Sequence, residues 1–448
     1  MRLSFRFTFP SIPMLALMLA SVALSVQGPS LLHAQRLLTL EEARSAATRN
    51  AEELAIARLG VTQAERGVAA ARAQRLPRLD LNASYTHVSE TASIDFSIPG
   101  VLSRSFSFGD GNVYDASLTA SVPLFTGFRL QGMLHLQETQ RGIAQRQLQG
   151  SEVTMHNRVT AAYLRAQFVL RTRVIYDGQL TYLGVQLAVL KQLYAQGQII
   201  PYDTLLLSTR VSALRVERAE AESAYRNALI GIADLTGLPA DFQVDDKLAP
   251  QPALSAADAD ALLDLAMAQR TDLAALRESI SAGEHRVRLE KASLLPSLSA
   301  FASARYGRPG VDQIANEWMP YYTAGMALQW NLWSWGGDHA RIEQQEIALQ
   351  EQQLRRDRLK RQIGSSIRSL LNDLRVIDQT RGMLDEQLAQ EHAKRDLLEA
   401  RLRQGLSTAT ELVDAETALT TALLRREQSD IQYRLKLTEL ANAIGMAI

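Results

Sequence analysis

The chain has 448 residues, with 48 Lys and Arg against 48 Asp and Glu, and no cysteine. Zero formal charge removes the global positive field that bulk nucleic-acid binding needs. The missing cysteines exclude disulfides, thiolate zinc sites, cysteine nucleophiles and a lipid-modified N-terminal cysteine.

Taken in order, the chain opens with Arg2 and Arg6 ahead of an apolar run from Ile12 to Val26. A basic start, an apolar stretch and a small residue before cleavage make a secretory signal. Cleavage is placed after Ala34, giving a signal peptide over 1–34, although Leu32 is larger than ideal at the −3 position. The alternative is an N-terminal anchor, but the run is shorter than the ~20 residues a spanning helix needs. No later stretch of 18 apolar residues exists.

The remainder is written twice. Gln196-Gly197 recurs as Gln404-Gly405, and the same spacing of 208 links Leu124 to Leu332, Tyr225 to Tyr433 and Gly237 to Gly445. Upstream the spacing becomes 219, linking Pro77 to Pro296 and Arg58 to Arg277, so the first copy carries 11 extra residues between Pro77 and Leu124. The copies span 35–237 and 256–448, joined by a proline-bearing linker over 238–255.

Each copy has one layout. A first helix starts at a capping-box signature, Thr39 with Glu42 or Ser255 with Asp258, and ends before Pro77 or Pro296. Strand pairs follow at 79–90 and 114–125, and at 297–306 and 321–333, alternating apolar and polar residues as half-buried strands do. No proline falls between Pro123 and Pro201 or after Pro320, which leaves room for very long helices. They form helical hairpins over 129–237 and 338–445, each turning at a C′ glycine, Gly197 or Gly405. The long arms would run about 100 Å and must pack laterally, coiled-coil fashion.

Strands of about ten residues, tilted, match the length that crosses a bilayer as β-structure. Aromatics cluster at their ends: Tyr85, Phe125 and Phe128 in the first copy, Tyr306, Trp318, Trp330, Trp333 and Trp335 in the second. An interfacial girdle accounts for this pattern, as would the core of a soluble sandwich. Four strands cannot close a barrel, and open edges are forbidden in lipid, so other copies must complete the sheet.

The ordered set of junctions resembles the TolC-type outer-membrane efflux proteins. Leu38-Thr39-Leu40-Glu41-Glu42-Ala43 with Arg49-Asn50 is similar to the mature N-terminus of that family. Leu76-Pro77-Arg78-Leu79 and Leu295-Pro296-Ser297-Leu298 resemble its helix-to-strand junctions. Its strand-to-helix exits resemble Val122-Pro123-Leu124-Phe125-Thr126-Gly127 and Asn331-Leu332-Trp333-Ser334-Trp335-Gly336-Gly337. The resemblance implies a mostly α fold with β: a homotrimeric 12-stranded barrel in the Gram-negative outer membrane, continued by a periplasmic α-helical coiled-coil barrel. It further implies a passive exit channel for a tripartite efflux or type I secretion system. Its partners would be a periplasmic adaptor (membrane fusion protein), an inner-membrane pump of RND or ABC type, and outer-membrane lipid.

Two sets of working residues come from the resemblance. Gly197, Gln198 and Ile199, and Gly405, Leu406, Ser407 and Thr408, would meet the adaptor at the tunnel tips; plain C-capping also explains the glycines. Glu411 and Asp414 would form a periplasmic constriction, with Asp203 at the equivalent place in the first copy. Glu411 equally fits the N3 position of a Thr408 capping box, and Asp203 suits the first turn after Pro201. Ser407 stands where the family has a basic residue, so a salt-bridge latch there is missing or built otherwise.

An enzyme is not expected. The seven histidines show no metal spacing, and there is no P-loop, GxGxxG or GxSxG. No cofactor or metal is implied. The rival readings are a periplasmic adaptor, which should carry one hairpin and soluble β-domains, and a soluble secreted coiled-coil scaffold.

Overall fold

The computed structural model describes residues 36–91, 93–98, 100, 102–107, 111–247, 258–312 and 316–447. The signal peptide expected over 1–34 lies outside the described residues, as does the end of the linker.

A short strand β1 (Arg36–Leu38) leads into α1 (Leu40–Asn50). The Thr39 hydroxyl accepts the Glu42 N–H at 3.3 Å, and the Glu42 carboxylate accepts the Thr39 N–H at 3.2 Å, so the expected capping box is present. The single helix expected up to Pro77 is in fact two. Ala51 is extended (φ −64°, ψ 122°) and separates α1 from α2 (Glu52–Ala73). The break turns the chain so that Ala43 and Ala47 of α1 and Leu54 of α2 enter one core.

After α2 come β2 (Arg78–His87), an additional hairpin β3 (Ser93–Ile98) and β4 (Leu102–Ser107), and β5 (Asn112–Phe125). The additional hairpin falls in the stretch where the first copy is 11 residues longer than the second. A 67-residue helix α3 (Arg129–Ala195), roughly 100 Å long, then returns through the 36-residue α4 (Pro201–Thr236).

The linker is structured in its first part: β6 (Phe242–Val244) pairs parallel with β1. Tyr163 pins that pair, its hydroxyl donating to the Leu38 carbonyl at 2.8 Å and accepting the Asp245 N–H at 3.0 Å.

Apart from the additional hairpin, the second copy repeats the first element for element: α5 (Ala259–Gln269), α6 (Thr271–Lys291), β7 (Ser297–Arg308), β8 (Met319–Gln329), α7 (Gly337–Arg403) and α8 (Ala409–Ile444). Its first helix also breaks, at Arg270, the counterpart of Ala51. The second capping box is not formed as expected: Asp258 is the N-cap residue of α5 without a side-chain bond, and Ser255 lies outside the described residues. β8 stops at Gln329 rather than 333. There the Trp330 indole donates to the Leu294 carbonyl at 3.0 Å and draws the chain off the sheet.

The four long strands form one antiparallel sheet in the order β2-β5-β7-β8. Of the strands expected to be half-buried, the central β5 and β7 are partly covered, with Ser117 and Ser303 buried, whereas the outer β2 and β8 are largely open in the single chain; Leu81 and its neighbour Asn82 are both exposed.

The packed interior lies instead where each long helix meets the shorter ones. In the first copy Leu54, Val159, Tyr225 and Ile232 share a core; in the second their counterparts Leu273, Ile367, Tyr433 and Leu440 do. Ile367 is fully enclosed there. Truncating it leaves a cavity with little scope for collapse, so Ile367→Ala is expected to cost about 2–5 kcal/mol. Chemical denaturation in detergent would measure this; a change under about 0.5 kcal/mol would contradict the assignment of this core.

Candidate functional site

The sheet has two chemically distinct faces. Register places Leu81, Leu118, Ala304 and Tyr322 in one cross-strand row. The next row, on the opposite face, is Asn82, Ser117, Arg305 and Tyr321. Thr119 and Ser303 bond across that polar face at 2.8 Å. The outer sides of β2 and β8, the two edges of the sheet, have no strand partner among the described residues.

Aromatic side chains end the sheet at both levels. At one end Tyr85 lies against Tyr114 at 5.0 Å, Tyr114 against Trp318 at 5.5 Å, and Trp318 against Tyr306 at 5.1 Å. At the other end Phe125 meets Phe128 and Trp333 meets Trp335, both edge-on, with Trp330 nearby in sequence. Trp335 is 89% exposed in the single chain. Trp330, Trp333 and Trp335 lie beyond β8 in the connection to α7, although Trp330 and Trp333 were expected within the strand. About 11 residues separate the two levels along β5, roughly 36 Å of strand, or near 25 Å of height at a 45° tilt.

At the far end of the helices each hairpin turns through the same backbone motif. Gly197 (φ 73°) donates to the Tyr194 carbonyl and Gln198 to Leu193; Gly405 (φ 70°) donates to Leu402 and Leu406 to Arg401. These paired bonds satisfy carbonyls left open by the ending helix, and the left-handed corner favours glycine. Ile200 and Leu406 are exposed beside the turns, while Ile199 packs partly into the core of the first hairpin.

The carboxylates expected near the second turn differ in their surroundings. Glu411 completes the Thr408 capping box: its N–H reaches the Thr408 hydroxyl at 3.3 Å, and its carboxylate accepts the Thr408 N–H at 3.1 Å. The Ser407 hydroxyl also donates to it. These Ser407 and Thr408 bonds hold the Glu411 carboxyl below the usual range. Asp414 is exposed one turn further on, and Asp203 sits half-buried in the first turn of α4. Among the described residues, no hydrogen bond or ion pair within the chain joins Asp203, Glu411 and Asp414 to one another.

A polar cluster that sequence reasoning missed ties the two hairpins together just above the turns. Tyr182 and Gln186 of α3 donate to the two oxygens of Glu399 on α7, at 2.8 and 3.0 Å. The Arg395 guanidinium lies 5.1 Å over the Tyr182 ring. Glu416 of α8 is 1% exposed, and neither carboxylate oxygen has a hydrogen-bond partner; its nearest cation is Arg395, at 3.9 Å.

A second missed feature occurs twice. Arg173 and Arg226 each reach Glu222 at 3.1 Å, Arg218 bonds Asp177 at 3.0 Å, and Arg173 lies 5.4 Å over the Tyr225 ring. Although burial works against it, Arg173 and Arg226 hold the Glu222 carboxyl below its ordinary range. Adding 208 to each number gives the second cluster. Arg381 and Arg434 reach Asp430 at 2.6 and 3.4 Å, Arg426 pairs with Asp385, and Arg381 lies 4.9 Å over Tyr433. The duplication spacing, applied to charged residues rather than to prolines and glycines, would have found it.

Burial pushes the Glu416 carboxyl up to about 7; Arg395 opposes the shift and Glu399 adds to it. The folded chain therefore holds a proton that the unfolded chain releases near 4.5, so stability from this group is full below that pH and is lost as pH rises towards 7. Glu416→Gln removes the titration. The gain in thermal midpoint of the variant over wild type should be near zero at about pH 4.5 and grow to a plateau above about pH 7. A gain independent of pH would contradict this.

The family model for outer membrane efflux proteins matches residues 43–238 and 262–446, both copies in turn. Among curated proteins, the chain is 24% identical over 417 residues to the pyoverdine export outer membrane protein OpmQ of Pseudomonas putida, covering 91% of this chain and 84% of that one. It is 23% identical over 360 residues to the proteases secretion protein PrtF of Dickeya chrysanthemi, covering 79% and 76%. Among solved structures, CusC superposes with a TM-score of 0.75 at 15% identity, over 91% of this chain and 92% of that one. The outer membrane protein VceC of Vibrio cholerae does so with 0.74 at 15%, over 91% and 96%. These structural likenesses show the fold.

Proposed function

The chain belongs to the outer membrane efflux protein family, and from that premise we propose how its parts make an exit duct. The protein serves as the outer-membrane channel of a tripartite efflux or secretion system, working with an adaptor and an inner-membrane pump. The chain is passive and the pump supplies the energy.

One observation carries the reading. A four-stranded sheet with one apolar face, one polar face, two open edges and aromatics at both levels stands on helices of 67 residues. Such a sheet satisfies its backbone in lipid only by closing with further copies. Three chains give a 12-stranded barrel, an even number suited to an outer-membrane pore. The apolar row with Leu81 and Leu118 then faces lipid, and the row with Asn82 and Arg305 faces the lumen. Tyr85, Tyr306 and Trp318 mark one interface; Phe125, Phe128, Trp330, Trp333 and Trp335 mark the other. The exported form begins after cleavage at the 1–34 signal.

The hairpins project into the periplasm. Their turns, Gly197 to Ile199 and Gly405 to Thr408, offer small residues and exposed backbone to the adaptor, whose pump is of RND or ABC type. Asp414, which no cap explains, faces its symmetry mates with Glu411 and Asp203 at the narrow end. A ring of carboxylates there repels anions and favours cations.

Reconstitution of the trimer in a planar bilayer tests this. Wild type should conduct with cation preference. Glu411→Gln combined with Asp414→Asn should raise conductance or lower that preference, with Asp414→Asn alone accounting for the larger share. A double variant with unchanged selectivity overturns the ring; a wild type that forms no pore overturns the channel reading.

A further inference from the structure

The internal duplication specifies more than a repeated fold. Within one chain α3 of the first copy packs along α6 of the second. Leu289 lies over Gly132, Glu278 over Gly142 and Thr271 over Gly150, and the rings of His135 and His285 stack at 5.6 Å. The counterpart of α3 is α7, 208 residues on, and the counterpart of α6 is α2, 219 residues back. Those two helices do not pack together within the chain, because they lie at opposite ends of the row α2-α3-α6-α7.

Transposing the contacts converts each internal pair into a pair between α7 of one chain and α2 of another. Gly132 and Leu289 become Ala340 and Ala70. His135 and His285 become Glu343 and Arg66. Gly142 and Glu278 become Gln350 and Leu59. Gly150 and Thr271 become Arg358 and Glu52. Two of the four are opposite charges, reversed in sign between the upper and lower pair. None of Arg66, Glu52, Glu343 and Arg358 is in an ion pair among the described residues.

Exposure supports the transposition. Every transposed position on α2 and α7 is exposed, whereas Gly132, Gly142, Gly150, Thr271, Glu278, His285 and Leu289 are at least partly covered. The two bare stripes also carry large apolar residues that a lone helix would not leave in water: Ile56 is 69% exposed, Leu59 67%, Ile347 58% and Leu354 69%. The sheet obeys the same rule. β5 pairs with β7, Ala120 opposite Ala302; the transposed pairing joins β8 to β2 of the next copy, Leu328 opposite Ala83.

We infer that the seam between two copies of this chain reproduces the internal α3–α6 interface, with Glu343 paired to Arg66 and Arg358 paired to Glu52 of the adjoining copy. The inference rests on the closed ring proposed above and assigns its register. The strand edges and the helix stripes derive from the same transposition, so one rotation joins both.

The absence of native cysteine makes the test clean. Arg66→Cys with Glu343→Cys, and separately Glu52→Cys with Arg358→Cys, are introduced into the mature full-length protein. Outer membranes are then treated with copper phenanthroline. Each matched double variant should give covalent dimers and trimers on a denaturing gel, while single variants give dimers at most in traces. The mismatched control is Arg66→Cys with Arg358→Cys, whose sites lie about 22 Å apart in this register and should not join. A trimeric wild type whose matched pairs fail to cross-link, or whose mismatched pair cross-links instead, overturns the register and leaves the channel reading standing. A monomeric wild type overturns both.

Discussion

An open β-edge cannot face hydrocarbon. Each unpaired N–H or C=O there forfeits several kcal/mol, and no water is present to restore it. This chain brings two such edges, β2 and β8, on a sheet of only four long strands. The architecture follows from that constraint. In the barrel proposed above, the sheet finds its partners in further copies, its apolar rows would point outward, and the aromatic clusters at its two ends would set its depth. In the single chain Leu81, Tyr322 and Met326 all lie open, as the proposed assembly would require of its lipid face.

The helical half answers a different difficulty. A helix of about 100 Å has no globular core to lie upon and must be stabilised along its length by neighbours. Here the support comes in stages. The bends at Ala51 and Arg270 fold short helices against the long ones in two apolar cores. Below these, the duplicated arginine clusters at Glu222 and Asp430 clasp outgoing and returning arms. Nearer the turns, Tyr182, Gln186 and Glu399 join one hairpin to the other. Apolar burial continues towards the turns, where Leu183, Leu190, Leu207 and Leu214 form a third core beside these directional polar contacts.

Much of this was legible in the sequence. The long helices end where the glycines and prolines mark them, at Ala195 and Arg403, because backbone punctuation is a local property. The duplication was legible for the same reason. The bends were not: neither Ala51 nor Arg270 is a helix breaker, and their extended backbone is imposed by the core on either side. Nor was β6, three residues whose pairing depends on Tyr163 reaching across from a distant helix. Of the candidate site, the turns and their caps could be read from spacing. Glu416 could not, because the groups around it come from two other helices, Tyr182 from α3 and Arg395 and Glu399 from α7. The end of β8 was misplaced because the alternation continues through Trp333 while the Trp330 side chain turns the backbone aside.

The duplication keeps the order and length of the helices, while the side chains on them diverge, near the turns as elsewhere. At the places of Arg395, Glu399 and Glu416 the first copy carries Leu187, Lys191 and Ser208. In the ring proposed above, the helices would approximate a sixfold object, while the side chains at the lowest level would have only threefold character, with two kinds of junction in alternation. Two hairpins of one backbone design end in unlike polar contacts, so the two kinds of junction in that proposed ring would not separate at the same cost.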